Sequence, residues 1–195
     1  MSRVAKQAAA AIASDHMHAS TTLVSMTMPS PVGRLTLVGD DHGLAAVLWE
    51  HDAPRRVRLG RVRATAHHAH LRAAQQQLDE YFAGVRTVFT VPLAFRGTPF
   101  QRQVWAALCA IPFGETRTYG EQARAIAHPS AVRAVGAANG RNPISIIAPC
   151  HRVIGSTGRL TGFAGGLDVK AFLLRLEGHQ VSQQQVGTAA ATRGS

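Results

Sequence analysis

The chain has 195 residues, 46% of them hydrophobic, enough for one medium domain or two small ones around a true core. Lys and Arg number 21 against 11 Asp and Glu, a formal charge of +10 that favours a polyanionic partner, nucleic acid foremost; Lys6 and Lys170 are the only lysines, and arginine forks onto phosphates and stacks on bases. Two cysteines, Cys109 and Cys150, exclude a disulfide framework or a Cys-rich zinc site. No apolar run reaches membrane-spanning length and no apolar signal core opens the chain, so a reduced, cytoplasmic compartment is expected.

Residues 1–20, rich in Ala, Ser and His, carry no useful pattern and read as a flexible tail, as do residues 181–195 at the other end. An α+β unit is expected over 21–92. Leu35-Thr36-Leu37-Val38 and Leu44 to Trp49 are strand candidates joined by Gly39-Asp40-Asp41-His42-Gly43, a hairpin signal. A helix is predicted over 67–83, with Leu71, Leu78 and Phe82 among its apolar positions, and Val88 to Phe95 alternates like a strand. His67, His68 and His70 have no accompanying carboxylate or thiol and read as helix-surface histidines rather than a metal site.

The second part, 93–180, is mostly helical. Thr98-Pro99-Phe100-Gln101 has a cap, a first-turn proline and a Gln three after the cap, followed by an apolar face of Phe100, Val104, Trp105 and Leu108. Cys109 falls in this helix as a small core residue. Pro112-Phe113-Gly114 ends it. Thr118-Tyr119-Gly120-Glu121 is a second capping box, opening a short helix to about Ala127. After His128-Pro129 a third helix carries Ala131 to Ala138 and stops near Gly140. Two short helices across a tight turn form a helix-turn-helix. The second is rich in small residues, which suits either close approach to a large partner or tight helix packing.

Pro149-Cys150-His151-Arg152-Val153 follows the apolar run Ile144 to Ile147, so Cys150 emerges at the edge of the core. A thiol in apolar surroundings has a raised pKa and is inert unless a base or cation draws off its proton, and His151 is adjacent. Neighbours in extended chain point to opposite faces, so a bridging water is as compatible with this pair as a direct bond.

Across 97–178 the chain resembles the O6-alkylguanine-DNA alkyltransferases (methylated-DNA–protein-cysteine methyltransferases). The matching pieces are Gly97-Thr98-x-Phe100-Gln101-x-x-Val104-Trp105, Ile111-Pro112-x-Gly114-x-Thr116-x-x-Tyr119 and Arg133-Ala134-Val135-Gly136. They continue, in order and at family spacing, with Asn142-Pro143, Pro149 to Val153, Gly162-Phe163-x-Gly165-Gly166, Lys170 and Glu177-Gly178. The amino-terminal part agrees only in length and general pattern. The resemblance implies an α+β fold: an amino-terminal domain with a small antiparallel sheet, then a helical domain carrying the helix-turn-helix.

The same resemblance implies DNA repair by single-turnover, suicidal alkyl transfer. The partner is double-stranded DNA containing O6-alkylguanine, bound through the minor groove, and the damaged base flips into the cysteine pocket. Cys150 would attack the alkyl carbon. Glu177, His151 and a water would draw off its proton, and Asn142 would brace the loop. Tyr119 would donate to N3 of guanine. Backbone groups at Cys150 and Val153 would read the exocyclic amine, and the Ala164 amide would meet O6. Phe163, where many relatives have Tyr, would wall the pocket, Asn139 would line it, and Lys170 would support it. Arg133 would fill the vacated stack while Ala134, Ala137 and Ala138 lie against the groove. No cofactor or metal is implied. A monomer is expected, with cooperative assembly on DNA left open, as are O4-alkylthymine and bulky adducts as substrates. The alternatives are a non-catalytic sensor of alkylated DNA and a cysteine hydrolase, which would turn over.

Overall fold

The structure is a computed structural model that describes residues 22–53 and 55–186. The expected tail 1–20 lies outside the described residues, as does 187–195. The first part holds β1 (Leu23–Met28), β2 (Leu35–Asp40), β3 (Gly43–Trp49), β4 (Val62–Ala64) and α1 (Ala69–Phe82). The second holds α2 (Pro99–Cys109), β5 (Arg117–Thr118), α3 (Tyr119–Ala125), α4 (Val132–Gly140), a 3₁₀ turn at Cys150–Arg152, β6 (Val153–Ile154), α5 (Leu167–Leu176) and α6 (Gln183–Val186).

The sheet order is β3-β2-β1-β4. Its first three strands are antiparallel, and β4 runs parallel to β1. The β2–β3 hairpin falls where the Gly39 to Gly43 signal places it. Gly43 is indispensable there: its φ is +143°, and a Cβ would sit 2.4 Å from the Pro92 carbonyl oxygen. Helix α1 buries Leu71, Ala74, Leu78 and Tyr81 on one stripe, the 3.6-residue periodicity that lets a helix lie on a sheet. Each buried leucine contributes about 2 kcal/mol relative to exposure.

The segment Val88 to Phe95 alternates as predicted, with Phe89, Val91, Leu93 and Phe95 packed against the core, but it is not a full strand. It meets β3 through one parallel bridge, Leu44 to Leu93. Leu44 N–H donates to the Pro92 carbonyl, and Ala94 N–H donates back to that of Leu44, both at 2.8 Å. Pro92 has no donor with which to extend the ladder. Residues 181–186, placed by sequence in the terminal tail, include α6. Val181 and Val186 pack with Leu160 and Leu174, and Leu160 N–H donates to the Gln185 carbonyl.

The two parts share one core, which runs from Leu37, Leu44 and Tyr81 through Trp105 and Ile144 to Val153 and Leu173. Backbone pairing continues across the junction, where Val47 N–H donates to the Pro143 carbonyl at 2.8 Å. The sheet thereby fixes the loop that leads to Cys150. Among the described residues, no helix is long and apolar enough to cross a membrane.

Candidate active site

The Cys150 turn is held from both sides. Before it, Asn142 Nδ2 donates to the Ala148 carbonyl at 2.7 Å and Asn142 Oδ1 accepts from Ile144 N–H at 3.1 Å. The loop so closed includes Ile146 at φ +73°, a left-handed conformation costly for a β-branched residue. After it, β6 pairs in parallel with β5, bringing Val153 against Arg117 and Ile154 against Thr118. That pairing sets Cys150 beside the start of α3 and Tyr119. Both predicted capping boxes form, Thr98 with Gln101 and Thr118 with Glu121.

His151 and Glu177 are both buried, and His151 Nε2 donates to Glu177 Oε1 at 2.8 Å. Four further donors converge on the same carboxylate. Arg152 Nε reaches Oε2 at 2.8 Å, Arg152 Nη2 reaches Oε1 at 2.9 Å, Tyr81 Oη donates to Oε1 at 2.8 Å, and Gly114 N–H lies 3.4 Å from Oε2. Arg152 is itself fixed by the Ile111 carbonyl at 2.6 Å and by the face of Phe113. Burial pushes Glu177 up, but the hydrogen bonds from His151 and Arg152 outweigh it and hold the carboxyl at about 2. An ionised carboxylate only accepts. His151 therefore carries its proton on Nε2, and Nδ1 holds the lone pair. Nδ1 is buried and has no protein partner among the described residues. Burial lowers the His151 pKa, so the ring is a neutral base at neutral pH.

Burial pushes the Cys150 thiol up; the Asn142 amide and the charges of Lys170 and Arg56 oppose this without cancelling it. At rest Cys150 is a thiol, and no direct Cys150–His151 hydrogen bond is formed among the described residues. The adjacent imidazole does not lower the resting thiol; it waits as a base. Lys170 Nζ donates to the Val153 carbonyl at 2.6 Å and to that of Thr161 at 2.9 Å, and burial brings its pKa down to about 8. A carbonyl oxygen has two lone pairs, and Lys170 engages one of those on Val153. Thr161 Oγ1 donates to the Tyr119 hydroxyl at 3.1 Å. That hydroxyl is pushed up by burial, and the Cys150 charge adds to the rise. Phe163 sits edge-on to Trp49 at 5.5 Å and to His151 at 6.3 Å, with half-buried Ala164 next to it.

On α4, Arg133, Ala134 and Ala137 are exposed, as a contact surface requires. One expectation needs correction here. Ala138 is buried, and its carbonyl accepts from Trp105 Nε1 at 2.8 Å, so its side chain lies in the core. Asn139 is also buried, and its amide pairs with that of Gln122 at 2.7 and 3.3 Å, which ties α3 to α4. Cys109 is raised to about 12 by burial. The three histidines around the start of α1 scatter: His67 meets Arg72, the N-cap His68 faces Asp41 at 3.7 Å, and His70 bonds the Asp41 carbonyl.

Three site residues escaped the sequence reading. Tyr81 and Arg56 come from the part that showed no catalytic constellation, and Arg152 stood in the pentapeptide without a role. Arg56 chelates Asp52 and donates to the Asn142 carbonyl.

Comparison with known proteins agrees with this geometry. Residues 23–95 match the family described as 6-O-methylguanine DNA methyltransferase, ribonuclease-like domain, and residues 99–179 match its DNA binding domain. A methylated-DNA–protein-cysteine methyltransferase of Methanosarcina acetivorans is 52% identical over 149 residues, covering 76% of this chain and 94% of the relative. One from Mycobacterium tuberculosis is 50% identical over 153 residues, covering 77% and 90%. The crystal structure of Mycobacterium tuberculosis OGT in complex with DNA superposes with a TM-score of 0.72 at 47% identity, over 79% of this chain and 92% of that one. With both halves of the chain matched and the reactive turn in place, this protein belongs to the O6-alkylguanine-DNA alkyltransferase family.

Proposed function

We propose that this chain repairs alkylated DNA by moving the alkyl group from O6 of guanine to Cys150, once per molecule. The observation that carries the reading is the buried Cys150 beside a neutral His151 whose Nε2 is bound to an ionised Glu177, leaving Nδ1 as a base. In the reaction the thiol proton passes through a water to Nδ1, and Glu177 stabilises the imidazolium that forms. The sulfur attacks the alkyl carbon in line, the C–S bond forms as the C–O bond breaks, and the electron pair returns to the guanine ring. Tyr119 Oη donates to N3 of the departing base, so the leaving group carries less charge. Lys170 and Arg56 supply positive charge as the thiolate develops, in a dry site where such fields act strongly.

Because the resting thiol is protonated, reactivity is confined to the moment a base fills the pocket. The flipped guanine lies between Tyr119 and the Phe163–Ala164 segment, read by the Val153 carbonyl and by the Ala164 amide. Extrusion costs a few kcal/mol. It is offset by the minor-groove contacts of α4, where Arg133 fills the gap and the exposed Ala134 and Ala137 allow close approach. The product is a thioether, stable because an alkyl thiolate is a poor leaving group from carbon.

The test is transfer of labelled methyl from a duplex containing O6-methylguanine to protein. Label should rise to one equivalent and stop. Release of labelled methanol with continued turnover would favour a hydrolase, and binding without label would favour a damage sensor.

A further inference from the structure

Residues 55–63 read Arg-Arg-Val-Arg-Leu-Gly-Arg-Val-Arg, the densest run of charge in the chain, and the alkyl-transfer chemistry uses only Arg56. The run is a built surface. Val57 and Leu59 turn inward and pack on Leu23, Val38, Ala45 and Ala46, pinning the segment across the sheet. Arg58 stands between those anchors, and Arg55, Arg58, Arg61 and Arg63 are all exposed. Among the described residues none of these four has a carboxylate partner, whereas Arg56, Arg86, Arg96, Arg117 and Arg152 each do. Asp52, the one acid within 51–63, is taken by Arg56.

The position of this strap gives it a partner. Arg56 donates to the Asn142 carbonyl, two residues past the end of α4, and Arg141 between them is exposed. Basic surface therefore runs from Arg133 on α4, through Arg141, onto the strap. From there it crosses the sheet to β4, the edge opposite β3. That crossing is three strand spacings, about 14 Å, or the rise of about four phosphates along one DNA strand. Four unpaired guanidinium groups over that length suit a phosphate backbone.

We propose that the strap is a second DNA-binding surface, on the amino-terminal sheet, which grips the backbone of the same duplex beyond the reach of the helix-turn-helix. It carries no sequence information; it raises affinity and fixes orientation. The proposal rests on the DNA-repair reading above.

The test is fluorescence anisotropy of an undamaged duplex over a range of salt, with the full chain and a variant carrying Arg55→Ala, Arg58→Ala, Arg61→Ala and Arg63→Ala. Each lost phosphate contact lowers the magnitude of the log K against log salt slope by about 0.9. The variant should lose about 2 to 4 from that slope, with affinity at low salt at least tenfold weaker. Its alkylation by free O6-methylguanine base, followed by intact mass, should match the wild type, since no strap residue changed enters the pocket. A slope change below about 2 with that reactivity intact overturns the proposal. If the quadruple variant does not fold, Arg58→Glu, a solvent-facing change, replaces it; unaltered binding by that variant overturns the proposal equally. A wild type that binds no duplex and accepts no methyl group would bring down the repair reading and this inference together.

Discussion

Glu177 is the residue on which the site turns. Five donors reach its two oxygens, and one of them, Tyr81, comes from 96 positions earlier in the chain. Sharing its charge with Arg152 and Tyr81 keeps the carboxylate from over-stabilising an imidazolium, so His151 stays neutral and ready to accept. Tyr81→Phe removes one donor and leaves that oxygen more basic. Glu177 then holds the imidazolium more tightly, the His151 pKa rises, and the acid limb of the transfer rate moves to higher pH. The rate at neutral pH should hold or rise by up to about fivefold, because the ring stays largely neutral there while its imidazolium gains about 1 kcal/mol of stabilisation. A purely structural role for Tyr81 would lower stability and leave the pH profile where it was. Cys150, His151, Asn142, Tyr119, Lys170 and Glu177 were legible in sequence because each lies in a local pattern. Tyr81 and Arg56 were not: on α1 Tyr81 reads as one more stripe residue, and Arg56 as one charge in a run.

Among the elements, α3 does most to aim a side chain. It begins at Tyr119, its first turn is closed by the Thr118–Glu121 box, and its preceding strand is tied to β6 next to the reactive turn. Thr118→Ala removes the cap at a cost of about 1 kcal/mol, which shifts Tm by about 2–4 °C in a chain of this size. Because Tyr119 is set at the first position of α3 and donates to N3 of the base, methyl transfer from duplex and from free O6-methylguanine should both slow by more than the stability loss explains. Unchanged rates on both substrates would show that α3 acts only as scaffold. The capping boxes could be read directly because they are sequential. The Val88 to Phe95 segment shows the opposite case. Its alternation correctly gave the buried face, but hydrogen bonding depends on what lies alongside, and Pro92 against the β3 edge permits only two bonds. Ala138 was misplaced for a related reason: small residues fit a groove or a helix contact equally, and the packing of α4 on α2 and α3 decided between them.

At the scale of the whole molecule, one core and one carboxylate join the two parts, so stability and activity share a dependence on acid. The folded Glu177 pKa of about 2 lies below its ordinary 4.5; its stabilisation is present above 4.5 and is lost as pH falls towards 2. His151, lowered by burial from 6.5, acts in the same direction, since the folded state resists the proton that the unfolded chain accepts. Urea unfolding should therefore show one transition by all probes, with a midpoint that falls steadily from pH 7 to pH 3. Glu177→Gln leaves Arg152 buried and unpaired, and should cost about 3–5 kcal/mol at pH 7 while flattening the part of the decline below 4.5. A variant as acid-sensitive as the wild type would place the acid response elsewhere.

The central claim is that Cys150, and no other group, accepts the alkyl carbon. The most direct measurement is the intact mass of the protein after mixing with an equimolar duplex carrying O6-methylguanine, followed by peptide mapping, beside Cys150→Ser. A gain of one methylene unit is expected, confined to the Cys150 peptide, with half-buried Cys109 unmodified because its thiol is held at about 12, and no gain in Cys150→Ser. A methyl group found on Cys109, or on the Cys150→Ser protein, would contradict that claim.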